Sequence, residues 1–317
     1  MKKLVASSVM ALALAVSANS ADAADFNAEQ TIRGLVVGGE VESFSGIMFY
    51  DGDGDEVDLE DDDHQLVSGL TGRVNLPLGD NLSVQMDGEF EYTSNALTGS
   101  RQAELFSHSF LAGGHLSWRD PNAGLIGGFA AFGGGAADDE GGDGPRNFSF
   151  YAIGGEGQFY ADDFTFYVQG GYIDGATDNS LPVIDSDALR DAVFGRGIVR
   201  WFMDPDTRLQ AEIAYVDGDV DVFDPSGMTI VEWGVRYDTM IAGLPILGDS
   251  NVFVGYRGAQ FDKDDASGDE AEFTDHTIMV GFTHRFGTRT IQETDRYGAT
   301  LDLPNFGRWV SAGQTLE

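Results

Sequence analysis

Leu82-Ser83-Val84-Gln85-Met86-Asp87-Gly88-Glu89-Phe90-Glu91-Tyr92 decides the fold. Leu82, Val84, Met86, Phe90 and Tyr92 share one parity, while Ser83, Gln85, Asp87, Glu89 and Glu91 share the other. A period of two is the signature of a β-strand with one polar and one apolar face. Arg208-Leu209-Gln210-Ala211-Glu212-Ile213 and Val231-Glu232-Trp233-Gly234-Val235-Arg236 repeat it. A soluble barrel turns its apolar parity inward, and a membrane barrel turns it outward to lipid. Periodicity alone does not choose between them.

Working outward, the same pattern gives twelve strands between Gly34 and Phe286. They begin at Gly34, Leu66, Leu82, Phe110, Leu125, Phe148, Phe164, Ala192, Arg208, Ile230, Val252 and Thr277. The fifth, rich in Gly and Ala, alternates least. Connections after even-numbered strands are short and carry turn residues: Gly79-Asp80-Asn81, Asp120-Pro121-Asn122, Ala161-Asp162-Asp163 and Asp204-Pro205-Asp206. Thr239 to Asp249 is the exception, expected to be longer. Connections after odd-numbered strands are long. Alternating short turns and long loops is the asymmetry of a membrane barrel. Aromatics near strand ends agree: Trp118, Trp201, Tyr237 and Phe286 at one interface, and Tyr92, Tyr172 and Tyr215 at the other. The expected fold is all-β, a single 12-stranded antiparallel up-and-down transmembrane barrel, with 10 or 14 strands as alternatives. Glycine pairs inside strands, such as Gly113-Gly114 and Gly154-Gly155, are expected to allow curvature.

Met1-Lys2-Lys3, the apolar run Leu4 to Val16, and Ala21-Asp22-Ala23 have the layout of a secretory signal peptide. Residues 1–23 are assigned to it, 24–286 to the barrel, and 287–317 to a periplasmic C-terminal tail. A lumen plug or a docking peptide is the alternative for that tail, with Phe306 and Trp309 as the residues that would dock. No stretch after the signal approaches the length of an apolar spanning helix.

The 317-residue chain carries a formal charge of −35 and no cysteine. No disulfide framework or thiolate metal site is available to it. Nucleic acid is excluded as a partner, because binding it needs clustered Lys and Arg. The acid concentrates in candidate long loops, most densely in Asp51, Asp53, Asp55, Asp58, Asp61 and Asp62. Alternating aspartates suggest a calcium loop, but the sixth position of that pattern needs glycine and holds Glu56. The expectation is a solvated acidic rim that concentrates cations, with divalent cations held loosely, no specific metal site and no other cofactor.

Parity places Arg73, Arg119, Arg196, Arg200, Arg208, Arg236, Arg257 and Arg285 on the inward face. Asp87, Glu89, Glu91, Glu156, Glu212 and Glu232 join them. Charges there can line a pore and set selectivity, or pair across it and close it. Twelve strands fall between filled eight-stranded barrels and open barrels of 16 to 18. No G-x-S-x-G, H-E-x-x-H or P-loop is present. His115 near Ser117 is the best catalytic hint, and their i, i+2 spacing proves little.

Ile278-Met279-Val280-Gly281-Phe282-Thr283-His284-Arg285-Phe286 resembles the closing strand of Gram-negative outer-membrane barrels of the porin-like class. The resemblance implies an outer-membrane address with both termini periplasmic. It also implies insertion by the barrel-assembly machinery, which would read Gly281, Phe282 and Phe286. Outer-membrane lipid and lipopolysaccharide are the surroundings it implies. In many such proteins the aromatic ends the chain; here about 31 residues follow. The expected function is passive diffusion of small solutes or ions through a narrow charged lumen. A structural or surface-interaction barrel without a through-pore is the alternative, and a lipid-modifying hydrolase the second.

Overall fold

The computed structural model describes residues 37–53, 64–94, 106–137, 146–177, 188–220, 227–244, 248–264 and 270–312. The signal-peptide assignment lies outside them, as do Asp55, Asp58, Asp61 and Asp62 of the acidic loop; Asp51 and Asp53 belong to the last residues of the first strand. Twelve strands form one closed antiparallel barrel: β1 Gly38–Asp53, β2 His64–Pro77, β3 Leu82–Ser94, β4 Phe106–Asp120, β5 Gly124–Ala137 and β6 Arg146–Ala161, then β7 Phe164–Thr177, β8 Arg190–Asp204, β9 Thr207–Asp219, β10 Gly227–Leu244, β11 Gly248–Asp264 and β12 Glu270–Phe286. Each pairs with its sequence neighbours. β12 closes on β1 from Gly39 opposite Phe286 to Asp53 opposite Glu272. Closure leaves no strand edge unpaired.

The faces separate as the parity of Leu82–Tyr92 requires. Ser83, Gln85, Asp87 and Glu91 are buried inside, while Met86 is 51% exposed outside. Ile126 at 66% and Val280 at 59% continue the apolar exterior around the barrel. Aromatics mark both rims of that exterior. Phe164 stacks on Trp201 near the short turns at 6.2 Å, and Tyr151 meets Tyr172 toward the long loops at 6.3 Å.

Local chemistry sets the short turns. The Asn122 and Asp206 backbone N–H groups donate to the carboxylates of Asp120 and Asp204, at 2.9 and 2.8 Å. Such side-chain turns stand in for a backbone turn. The expected long connection from Thr239 to Asp249 is corrected. β10 continues to Leu244 and β11 starts at Gly248, with a register shift between Ile241 and Leu244. The apolar sequence there hid a strand extension that a bulge accommodates.

β5 is a full strand despite its weak pattern. A Cβ on Gly133, Gly135 or Gly154 would lie 2.5–2.7 Å from the ring of Phe150, Phe148 or Phe129. The missing side chains are spaces filled by aromatic rings from the neighbouring strand.

After Phe286 the chain does not leave the barrel. Gly287 has φ +82°, and a Cβ on it would collide with the Val37 carbonyl oxygen. This turn sends residues 288–312 into the lumen. They form α1 (Ile291–Tyr297) and α2 (Phe306–Ser311), joined by an extended stretch. Thr290 caps α1 by accepting from the Glu293 N–H at 3.0 Å, and Glu293 accepts in return from the Arg289 N–H at 2.7 Å. The expected periplasmic tail therefore gives way to a lumen plug over 288–312, because the turn at Gly287 and the polar wall offer it better partners than water alone. Replacing Gly287 with valine is expected to destabilise this turn by about 1–3 kcal/mol. The test is limited proteolysis: cleavage within 288–312 should accelerate while the strands stay resistant, and an unchanged pattern would show that the turn does not hold the segment.

Candidate functional site

The C-terminal segment climbs the lumen from the short-turn mouth to the long-loop mouth. At the bottom, the Gln292 N–H donates to the Pro205 carbonyl at 3.0 Å, and Arg296 donates to the carbonyls of Asp162 and Phe164 at 3.1 and 3.2 Å. These acceptors belong to, or border, the β8–β9 and β6–β7 turns. Next, Arg119 donates to the Gly298 carbonyl at 2.8 Å and Gln158 to the Thr300 hydroxyl at 3.2 Å. Gln85 pairs with both backbone groups of Leu301, donating at 2.6 Å and accepting at 3.2 Å. Gln169 then donates to the Asp302 carbonyl at 2.8 Å.

Above this level the partners move steadily toward the long loops. Leu303 packs over Gly113, where a Cβ would collide with it. Asn305 donates to Glu91 at 3.2 Å, and Trp309 Nε1 donates to Glu232 at 3.0 Å. Arg308 pairs with Asp275, and Leu189, next to the start of β8, donates to the Val310 carbonyl at 3.3 Å. Residues 291–310 thus pass nearly the whole height of the wall in order, so Val37 and Ala312 lie at opposite mouths.

Two kinds of packing hold the segment. The lower half is ionic. Arg200 donates to Asp295 at 2.8 Å, to the Thr300 carbonyl at 3.1 Å and to Asp302 at 3.3 Å; Arg196 reaches Asp302 at 3.0 Å and Glu212 at 2.5 Å. The buried Asp302 carboxylate is shared between the Arg196 and Arg200 guanidiniums, which offset the cost of taking its charge out of water. Asp295, also buried, is paired with Arg200 in the same way. The upper half is apolar. Phe306 lies 5.3 Å from Phe194, 6.1 Å from Phe150 and 6.4 Å from Phe129, ring centre to ring centre. Trp309 is 5.5 Å from both Phe194 and Phe306 and has no exposed surface. With Leu189, Val216, Ile230, Phe261 and Phe273 they form a hydrophobic collar inside the long-loop mouth. Each such side chain taken fully out of water contributes about 1.5–3 kcal/mol.

Every expected lumen charge faces this interior, and most spend themselves on partners. Arg73 and Arg285 meet Glu40, Arg208 meets Asp238, Arg236 meets Glu42 and Asp238, and Arg257 meets Glu91. Glu89, half-buried, shares the inward face of β3 with Asp87 and Glu91. Asp87 and Glu156 accept from the two ring nitrogens of His115, at 2.9 and 2.8 Å. Both nitrogens are thereby used. Ser117 shares a hydrogen bond with Ser83 at 3.0 Å, so the His115–Ser117 hint forms no nucleophile–base contact.

Sequence reading did not single out Glu40, Glu42, Asp238 or Asp275, nor Asp295, Asp302 and Arg308 of the segment. Period-2 parity held the signal for Glu40 and Glu42, which lie at alternating positions in β1. Nothing local marked Asp295 and Asp302, whose wall partners Arg200 and Arg196 are more than ninety residues away. The space beside the segment in the lower lumen is a polar cavity of about 60 Å³, lined by Glu42, Arg73, Arg200, Arg236, Asp295 and Asp302. That is room for a few waters. A wider recess of about 380 Å³ lies at the short-turn mouth, between Met240, Asn251, Arg285 and Arg289.

No family model matches the chain, and no curated protein matches it in sequence. Its fold is similar to solved outer-membrane barrels. One is the translocator domain of the autotransporter NalP from Neisseria meningitidis, at 13% identity and TM-score 0.46, covering 87% of this chain and 98% of that one. An outer membrane channel from Pseudomonas putida F1 is another, at 12% identity and TM-score 0.49, covering 83% and 99%. The beta domain of the Bordetella autotransporter BrkA gives 14% identity and TM-score 0.44, covering 79% and 100%. At these identities no ligand or role transfers from them.

Proposed function

We propose that the chain is an outer-membrane barrel sealed by its own C-terminal segment, without a through-path at rest. The single observation that carries this reading is the occupied lumen: the segment after Gly287 bonds to β3, β4, β6, β7, β8, β10 and β12. The membrane address is supported by a closed hydrogen-bond ladder under an apolar exterior, the arrangement lipid requires. The short turns then face the periplasm and the long loops face outward.

This favours a barrel without a through-pore over the freely conducting porin. A small solute needs a continuous wet route, whereas the lumen offers ion pairs below and an apolar collar above. The test is conductance of the refolded, full-length protein in a planar bilayer under a salt gradient. The expected result is a silent bilayer from protein that is folded by heat-modifiable gel migration. Sustained discrete steps from such protein would reject the seal and restore the porin reading.

A further inference from the structure

A plug that only had to close the barrel could enter and return by one mouth. This one enters at Gly287 beside Val37 and reaches Val310 beside Leu189, at the other end. The order of its partners is monotonic along the axis. The turn residues Pro205 and Asp162 come first, then Arg119, Gln85 and Gln158 near the bottom of the wall, then Gly113 and Glu91, and last Glu232, Asp275 and Leu189. The grip also changes in kind. Buried ionic and polar contacts lie toward the entry, and the apolar packing lies at the exit, around Phe306, Trp309 and Val310. A collar at the exit closes around the helix Phe306–Ser311 where it reaches the long-loop mouth.

We propose that the barrel is a display anchor: it threads its C-terminal segment through the membrane and presents the Ala312 end of that segment at the long-loop face, outside the cell. This rests on the sealed, outward-looped barrel proposed above and gives that seal a purpose. The occupant of the outer face is thus a segment of this same chain, held by Phe306 and Trp309 in the collar and by Arg200, Asp295 and Asp302 below. The long loops around that mouth are rich in acid, so a ligand or surface that meets the displayed end also meets a strongly negative rim.

The experiment places an epitope tag after Glu317 in the full chain, expressed in a Gram-negative host, and stains intact cells with antibody. Two reference proteins carry the tag at residue 141, between β5 and β6, and at residue 80, in the β2–β3 turn. A cysteine pair, Gly113→Cys with Leu303→Cys, reports threading in the same tagged chain, which has no other cysteine. The expected result is staining of the C-terminal tag equal to the residue 141 reference, loss of staining to background for the residue 80 reference until cells are permeabilised, and a disulfide within the C-terminally tagged chain. A C-terminal tag stained only after permeabilisation, with the residue 141 tag stained on intact cells, overturns the display. Failure of the disulfide to form in a folded barrel overturns the threading. Reversal of the two reference tags instead overturns the membrane orientation proposed earlier, and with it the outward display, while leaving the seal standing.

Discussion

A chain ending at Phe286 is expected to insert, fold and conduct, where the full-length chain is silent. Among the described residues no strand pairs with 287–312, so deleting the segment leaves the twelve-stranded ladder intact. The shortened chain also ends on the aromatic of β12, as many outer-membrane barrels do. Inside, the loss is large but not catastrophic. Arg196 keeps Glu212 at 2.5 Å and Arg200 keeps Gln210 at 3.2 Å. Water replaces the partners supplied by Gly298, Thr300 and Asp302. Twelve strands enclose more space than the eight that side chains can fill. The remaining obstacle is the collar, where Phe129, Phe150 and Phe194 lose the cover of Phe306 and Trp309 and face water. Such a ring can gate by dewetting. Discrete current steps from the shortened protein, absent from the full chain under the same salt gradient, are the expected readout. A silent bilayer from shortened protein that still shows heat-modifiable migration would mean the collar, not the segment, closes the barrel.

The wall was legible in the sequence, and its contents were not. Leu82–Tyr92, Arg208–Val216 and Ile230–Tyr237 each state a strand and its two faces, because alternation is a local property. The inward arginines follow from the same counting. Asp295 and Asp302 are different: each gains meaning only from Arg196 and Arg200, brought near by closure of the barrel. Glycines misled in an instructive way. Gly113 was expected to provide curvature, yet the structure uses its bare face to seat Leu303. Thr239–Asp249 failed because a bulge breaks the period on which strand reading depends. The segment itself carried a hint in Phe306 and Trp309, two large aromatics in a polar stretch, but no sequence rule says which cavity they fill.

Arg200→Met should release the lower half of the segment, and the size of the effect follows from what Arg200 holds. Its side chain is 4% exposed, and it donates to Asp295, to both oxygens of Thr300 and to Asp302. Removing it strands the fully buried Asp295 carboxylate with Thr165 at 2.6 Å, Thr300 at 3.1 Å and a distant Arg296 at 3.7 Å. Breaking one partner of a buried ion pair costs about 3–5 kcal/mol, because the other charge is left uncompensated. Hydrogen exchange of the refolded protein should show amides of 291–311 exchanging roughly a hundredfold faster or more, with smaller changes in the strands. Adding Asp295→Leu should return part of the protection, since it removes the orphaned charge. Protection unchanged in Arg200→Met would show that the ionic half contributes nothing to holding the segment.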